Sequence, residues 1–94
     1  MTVYVVTWNL NRERSNYAAA REAFVRQFDK YDTIADSGLE SVRFVATTQS
    51  ADLLSADLRR KMDDNDRLLV SQMNTGEHQG WLSKKTWDWI NARL

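Results

Sequence analysis

The hydrophobic patterns along this chain predict a single α+β domain, a four-stranded sheet crossed by two helices with a third helix closing the chain. Three observations carry that expectation. Residues 2–10, TVYVVTWNL, are β-branched and aromatic throughout, the composition of a strand. Residues 16–31 and the stretch that follows Ser50 carry apolar side chains at spacings of three and four, the period of a helix. The strand-like runs 41–48 and 67–73 alternate with those helices, an order that suits a sheet with crossovers.

The first strand is apolar on both sides. Val3 and Val5 point one way, and Tyr4, Val6, Trp8 and Leu10 the other. A strand with one wet face would alternate with polar residues, so this one is expected at the centre of the sheet and covered twice. Ser15 is the expected cap of the first helix, whose stripe is Tyr17, Ala20, Phe24, Phe28 and Tyr31. A turn at Asp36-Ser37-Gly38 separates a short strand at 33–35 from the strand 41–48. Ser50 caps the second helix, which buries Leu54, Leu58 and Met62, and Asn65 is expected in a left-handed position just past its end.

After the strand 67–73, Gly80-Trp81-Leu82 is expected to form a short edge strand. Ser83 then caps a closing helix with Trp87, Ile90 and Leu94 on one side. The whole chain, 1–94, reads as one domain: a core over 1–73, then the edge strand and terminal helix over 74–94. The order βαββαβ with two crossover helices on one face is the ferredoxin-like arrangement. Two helices leave the other face bare. Val3, Val5, Val45 and Leu69 are read as facing that side, which calls for the terminal helix, a partner sheet, or both.

Composition narrows the function. A chain of 94 residues buries about 60–65% of the surface its unfolded form exposes, so four tryptophans, three tyrosines and three phenylalanines are a heavy apolar load. That load suits either a core built of large side chains or burial between the subunits of a homodimer. Cysteine is absent, which excludes disulfides and thiolate metal sites. No apolar run approaches the 18 or so residues that a membrane span needs. A cytoplasmic location and no membrane partner are the expectations. Thirteen basic residues balance 13 acidic ones, which argues against strong nonspecific binding of polyanions but allows a local basic patch.

Few residues are equipped for chemistry. His78 is the single histidine and lies in a polar turn, where an inert role is the simpler reading. Asp63, Asp64 and Asp66 lack the length, glycine and closing glutamate of a calcium loop. They read as a helix end and a strand start, and no metal or cofactor is expected. Arg12 and Arg14 stand beside Asn9 and Asn11 at the end of the first strand, where phosphate contacts are plausible chemistry. Arg59, Arg60 and Lys61 read as complements to a helix dipole. The spacing of Trp81, Trp87 and Trp89 favours packing in the core or a dimer over stacking on bases.

Several short motifs resemble one family. The Asn16-Tyr17 pair opening the first helix, Leu39-Glu40-Ser41-Val42, Asp64-Asn65-Asp66 before the last core strand, and Gly80-Trp81-Leu82 feeding Trp87-Asp88-Trp89 are similar to the small CRISPR-associated adaptation proteins, above all their stand-alone SinR-like relatives. The resemblance implies a ferredoxin-like homodimer linked to nucleic acid or to an integrase-like protein. It also implies a site where the first strand ends. Members proposed to be metal-dependent nucleases carry an aspartate there, paired across the dimer axis to hold a hard cation. This chain reads Trp8-Asn9-Leu10. An amide is a poorer Mg²⁺ ligand than a carboxylate, so the catalytic residue is unassigned. The expectation is a binding or scaffold protein with Asn9, Asn11, Arg12 and Arg14 at its interface. The main alternative is a metal-dependent ribonuclease or deoxyribonuclease of CRISPR or VapD-like toxin type, and a third is a protein-interaction adaptor that contacts no nucleic acid.

Overall fold

In the computed structural model, which describes residues 1–13 and 15–94, β1 (Thr2–Asn9) is followed by α1 (Tyr17–Arg26) and a 3₁₀ turn (Gln27–Lys30). Then come β2 (Asp32–Ile34), β3 (Val42–Thr47), α2 (Ala51–Arg59), β4 (Arg67–Gln72) and α3 (Lys84–Arg93). The four strands form one sheet in the order β2-β3-β1-β4, antiparallel throughout. The result is a small α+β body with β1 at the centre, as the two-sided apolar pattern of that strand requires. None of the helices among the described residues is long and apolar enough to cross a membrane.

The first face of the sheet carries the main core. Tyr4, Val6 and Trp8 of β1, Leu10 beyond it and Val45 of β3 pack against Phe24 of α1, Phe28 of the 3₁₀ turn and Leu54 and Leu58 of α2. Trp8, Phe24 and Phe28 form a triangle with ring centroids 5.1 to 5.5 Å apart, Trp8 tilted against both phenylalanines and the two phenylalanines edge to face. Such ring pairs add about 0.5–1.5 kcal/mol each beyond burial of their area. Tyr31 closes the seam between the helices. Its hydroxyl donates to Asp57 Oδ2 at 2.5 Å, and Lys30 Nζ reaches Asp57 Oδ1 at 2.8 Å. Burial and the Asp57 carboxylate together push the Tyr31 hydroxyl up to about 12.

The second face is covered by α3, but only in part. Val3, Phe44 and Ala46 are buried there with Thr86 and Ile90 of α3. Val5 and Thr7 are half-buried, and Leu69, the cross-strand partner of Thr7, is 60% exposed. Val45 belongs to the first face, contrary to the reading from sequence. Register decides this: Val3 pairs with Ala46 and Val5 with Phe44, so those residues share a side and Val45 takes the other.

A carboxylate holds α3 in place. Asp36 is 8% exposed and its side chain accepts from three donors. The Ser83 N–H lies 2.9 Å and the Thr86 hydroxyl 2.7 Å from Oδ1, and the Gly38 N–H lies 3.0 Å from Oδ2. Two of those donors sit at the amino end of α3, where the helix dipole also favours negative charge. Gly38 permits the close turn, because a Cβ there would stand 3.2 Å from Asp36 Oδ2. At the other end of α3, Arg93 forks onto Asp32 through Nε at 2.6 Å and Nη2 at 3.1 Å.

Several local expectations change in the fold. The first helix begins at Tyr17 with Asn16, not Ser15, in the cap position, and the Asn16 side chain makes no capping hydrogen bond. Asn16 has φ −108° and ψ 31°, outside the extended region from which a cap side chain turns back on the helix. The helix ends at Arg26 and tightens into the 3₁₀ turn before Tyr31, a common way of satisfying terminal carbonyls. β2 starts one residue earlier than expected, at Asp32. Ser50 and Ser83 do cap α2 and α3, accepting from the N–H groups of Leu53 and Thr86. Asn65 is not left-handed, since no described residue other than Gly76 has positive φ. Side chains of Asp63 and Asp66 turn the chain there instead.

Gly80-Trp81-Leu82 forms no strand within the chain, and Trp81 is 99% exposed. β4 stands at the edge of the sheet. However, the Ser83 N–H is committed to Asp36, which draws the segment toward the α3 side and away from the β4 edge.

The Asp36 contacts set a pH dependence. The Thr86 hydroxyl, with the N–H groups of Ser83 and Gly38, holds the carboxyl below its ordinary 3.8, at about 2. A carboxylate whose folded value is depressed stabilises above its unfolded value and loses that contribution as pH falls through the folded one. Thermal melts between pH 6 and 2 are expected to show stability falling from about pH 4 downward. Asp36→Asn should lower the neutral-pH Tm by several degrees, on the order of 5 °C, and flatten that acid limb. A variant with unchanged Tm and an unchanged limb would place the acid sensitivity elsewhere.

Candidate nucleic-acid interface

The end of β1 is where the sequence places its candidate residues, and the fold gives each a different part. Asn9 is the last residue of β1, exposed, and directly opposite Arg67 of β4. Alternation along β1 puts Asn9 on the side of Val3, Val5 and Thr7. It therefore lies on the second face, on the stretch that α3 leaves bare. Arg67 Nη1 donates to the carbonyls of Asp64 at 3.1 Å and Asp66 at 2.9 Å, so its guanidinium is anchored at the strand end. An open depression of about 240 Å³ runs between the two strands, lined by Thr7, Trp8, Asn9, Arg67, Leu68 and Leu69.

Asn11 is a structural residue. Its N–H donates to Asp66 Oδ1 at 2.7 Å, and its own Oδ1 accepts the Glu13 N–H at 3.1 Å, a side-chain turn that shapes the loop. Its amide is thereby turned back on its own loop. Arg12 is exposed and its guanidinium stands 5.6 Å from the centroid of the Tyr17 ring, an attraction of about 0.5–1 kcal/mol. Arg14 lies outside the described residues. Glu13 is exposed between them and offsets part of the local positive charge.

The acidic cluster is folded into loop structure. Asp66 is 7% exposed and accepts two backbone N–H groups, from Asn11 and from Asp63. Asp63 accepts the Asn65 N–H at 2.8 Å. Among the described residues, no group of three or more His, Asp or Glu side chains is arranged to hold a metal ion. α2 stops at Arg59, and Arg60 Nη1 stands 3.7 Å from Asp57, so the basic triplet flanks the helix end as its charge suggests.

His78 lies apart from this site. Its Nδ1 is 2.9 Å from the Asn74 carbonyl, and its ring stacks on Trp87 with centroids 5.9 Å apart. It borders a second cleft at the Val5 end of the sheet, and about 13 Å of strand separate Val5 from Asn9. Trp89 stacks under the Arg93 guanidinium at 4.2 Å. Trp87 and Trp89 are thus half-buried packing residues, whereas Trp81 is 99% exposed.

Arg67 is the residue that sequence reasoning missed. It reads as the first residue of a strand, and only the β1–β4 register brings it opposite Asn9. The end of β1 therefore offers an amide and guanidinium groups, donors suited to anionic oxygen, where a hard cation would want carboxylates. Compared with known proteins, the chain matches no family model, no curated protein and no solved structure.

Asp66 is the staple of this loop. Asp66→Ala takes the charged acceptor from two part-buried N–H groups and should cost about 1–3 kcal/mol in a denaturant titration. Amide exchange at Asn11 should accelerate beyond what that global loss explains. Protection at Asn11 that tracked global unfolding alone would show that the loop is held by something other than this carboxylate.

Proposed function

We propose that this chain is a ferredoxin-like homodimer that contacts nucleic-acid backbone near its twofold axis and acts as a binding or scaffold module, without efficient nuclease activity. The observation that carries the reading is the pairing of Asn9 with Arg67 on the bare stretch of the second face. Strand order supports the fold name: β2-β3-β1-β4, with α1 and α2 on one side, is the βαββαβ arrangement. The exposed Leu69 and half-buried Thr7 supply an apolar surface for a second copy. A twofold axis there doubles Arg12 and Arg67 into a patch of guanidinium groups, which draws phosphate and repels Mg²⁺. An integrase-like protein is the second candidate partner, on the family resemblance. A cytoplasmic location belongs to the same reading.

The resulting affinity is weak because only a handful of phosphate contacts is made, and it is salt-dependent because each contact releases counterions. Anisotropy with a fluorescent single-stranded oligonucleotide should show binding at low salt that falls steeply as salt is raised. Arg12→Ala should weaken it several-fold and flatten the salt slope by about one to two contacts. Binding unchanged in Arg12→Ala and insensitive to salt would remove this patch from the reading.

Catalysis is tested separately. The purified protein should leave RNA and DNA intact with Mg²⁺ or Mn²⁺, because metal-assisted cleavage needs anionic ligands to fix the ion. Robust cleavage lost on Glu13→Ala or His78→Ala would establish the nuclease alternative.

A further inference from the structure

The two edges of the sheet differ. β2 has three residues, too short to invite another strand, and Arg93 of α3 grips its first residue, Asp32. β4 has six, and its pairing with β1 runs without a bulge from Asn9 and Arg67 to Tyr4 and Gln72. The usual protection of an edge is missing, since no proline and no charged residue interrupts Leu68 to Gln72. Among the described residues, no strand lies beyond it.

Two hydrogen bonds show which backbone groups this edge leaves free. The Met73 N–H donates to the Val3 carbonyl at 2.8 Å, on the β4 side of β1. The Trp8 N–H donates to the Ser41 carbonyl at 3.1 Å, on the β3 side. Backbone groups of successive residues alternate in direction along an antiparallel strand. Val3, Val5, Thr7 and Asn9 therefore bond to β4 through Met73, Ser71, Leu69 and Arg67. The N–H and C=O groups of Leu68, Val70 and Gln72 are left pointing out of the sheet. The Leu69 backbone is committed to β1, but its side chain is 60% exposed on the second face.

We propose that this edge is occupied by β4 of a second copy, antiparallel about a twofold axis at Leu69, so that two four-stranded sheets join into one of eight. The inference rests on the homodimer reading above and names the surface through which the dimer forms. The strand is self-complementary in that register. Leu68 meets the partner's Val70 in hydrogen-bonded pairs on the first face, and Leu69 meets the partner's Leu69 in a non-bonded pair, where side chains stand closest. Arg67 meets the partner's Ser71, so like charges are not directly opposed. Moving the axis to Val70 would set Leu69 against Ser71 and Leu68 against Gln72, apolar on polar. Moving it to Leu68 would set Val70 against Asp66, whose N–H is already donated to the Asp63 carbonyl at 3.2 Å. A twofold pairing uses up β4 in both copies, and the short β2 offers no way to grow further, so the assembly closes as a dimer. The joined sheet carries both Asn9 and Arg67 pairs on one face, the two arginine positions about 13 Å apart along the strands. Each copy then supplies half of the phosphate surface.

The test combines charge swapping with amide exchange. Leu69 is exposed in one chain, so Leu69→Lys and Leu69→Glu should both fold, and each alone sets like charges against each other at the axis. In sedimentation equilibrium each should dimerise on the order of tenfold or more weakly than the natural protein. Their equimolar mixture should recover dimer, an effect that general destabilisation would not produce. In the natural protein, exchange of the Leu68 and Val70 amides should slow about tenfold or more as concentration rises through dimerisation, because the partner strand then accepts both. A natural dimer in which those amides stay unprotected, and whose charge variants do not rescue each other, overturns the edge pairing and leaves the dimer standing. A natural protein that stays monomeric at millimolar concentration overturns both.

Discussion

The fold turns on how a four-stranded sheet that is apolar on both sides is covered by three short helices. Two of them, joined by crossovers, seal one face around Trp8, Phe24 and Phe28. The other face depends on α3, a ten-residue helix whose buried side consists of Thr86 and Ile90. So narrow an apolar contact is a weak anchor, and the Asp36 carboxylate supplies the rest by gripping the helix at its amino end. Val3, Phe44 and Ala46 stay dry because that carboxylate is in place.

α3 also leaves part of the second face bare. It buries Val3, Phe44 and Ala46 but leaves Val5 half-buried. Beyond that point the sheet presents Thr7, Asn9, Arg67 and Leu69, a mixture of apolar side chains and guanidinium charge. A surface of this kind tolerates water around its rim and gains by meeting a partner at its centre. Asp66 is turned inward to hold the loop, while the exposed Glu13 offsets part of the positive charge there.

The charges near β1 also separate two kinds of chemistry. A hard cation needs several anionic oxygens converging on one point. The end of β1 instead combines an amide with an arginine held by backbone carbonyls, and Arg12 stands over Tyr17 a few residues on. Phosphate oxygen fits such a set of donors, and the formal charge balance of the chain keeps that attraction local.

Local pattern was enough for the elements whose chemistry is local. The apolar periods of α1, α2 and α3, the serine caps at Ser50 and Ser83, and the two-sided apolar β1 are legible in the sequence, because each depends on residues within a turn or two. The acidic run 63–66 is likewise readable as loop structure. Contacts across the chain were not. Which face Val45 takes follows from the β1–β3 register, and the pairing of Asn9 with Arg67 from the β1–β4 register. Strand registry is a property of two segments, and neither segment encodes it alone. Likewise Asp36 reads as a turn residue until α3, some 47 positions later, brings Ser83 to it. Gly80-Trp81-Leu82 has the composition of a strand, but the Asp36 tether draws it toward the α3 side and leaves Trp81 facing out. Sequence determined the elements and their apolar faces, while the side each residue faces and the groups that meet were decided by tertiary structure, because they depend on partners brought together only when the chain folds.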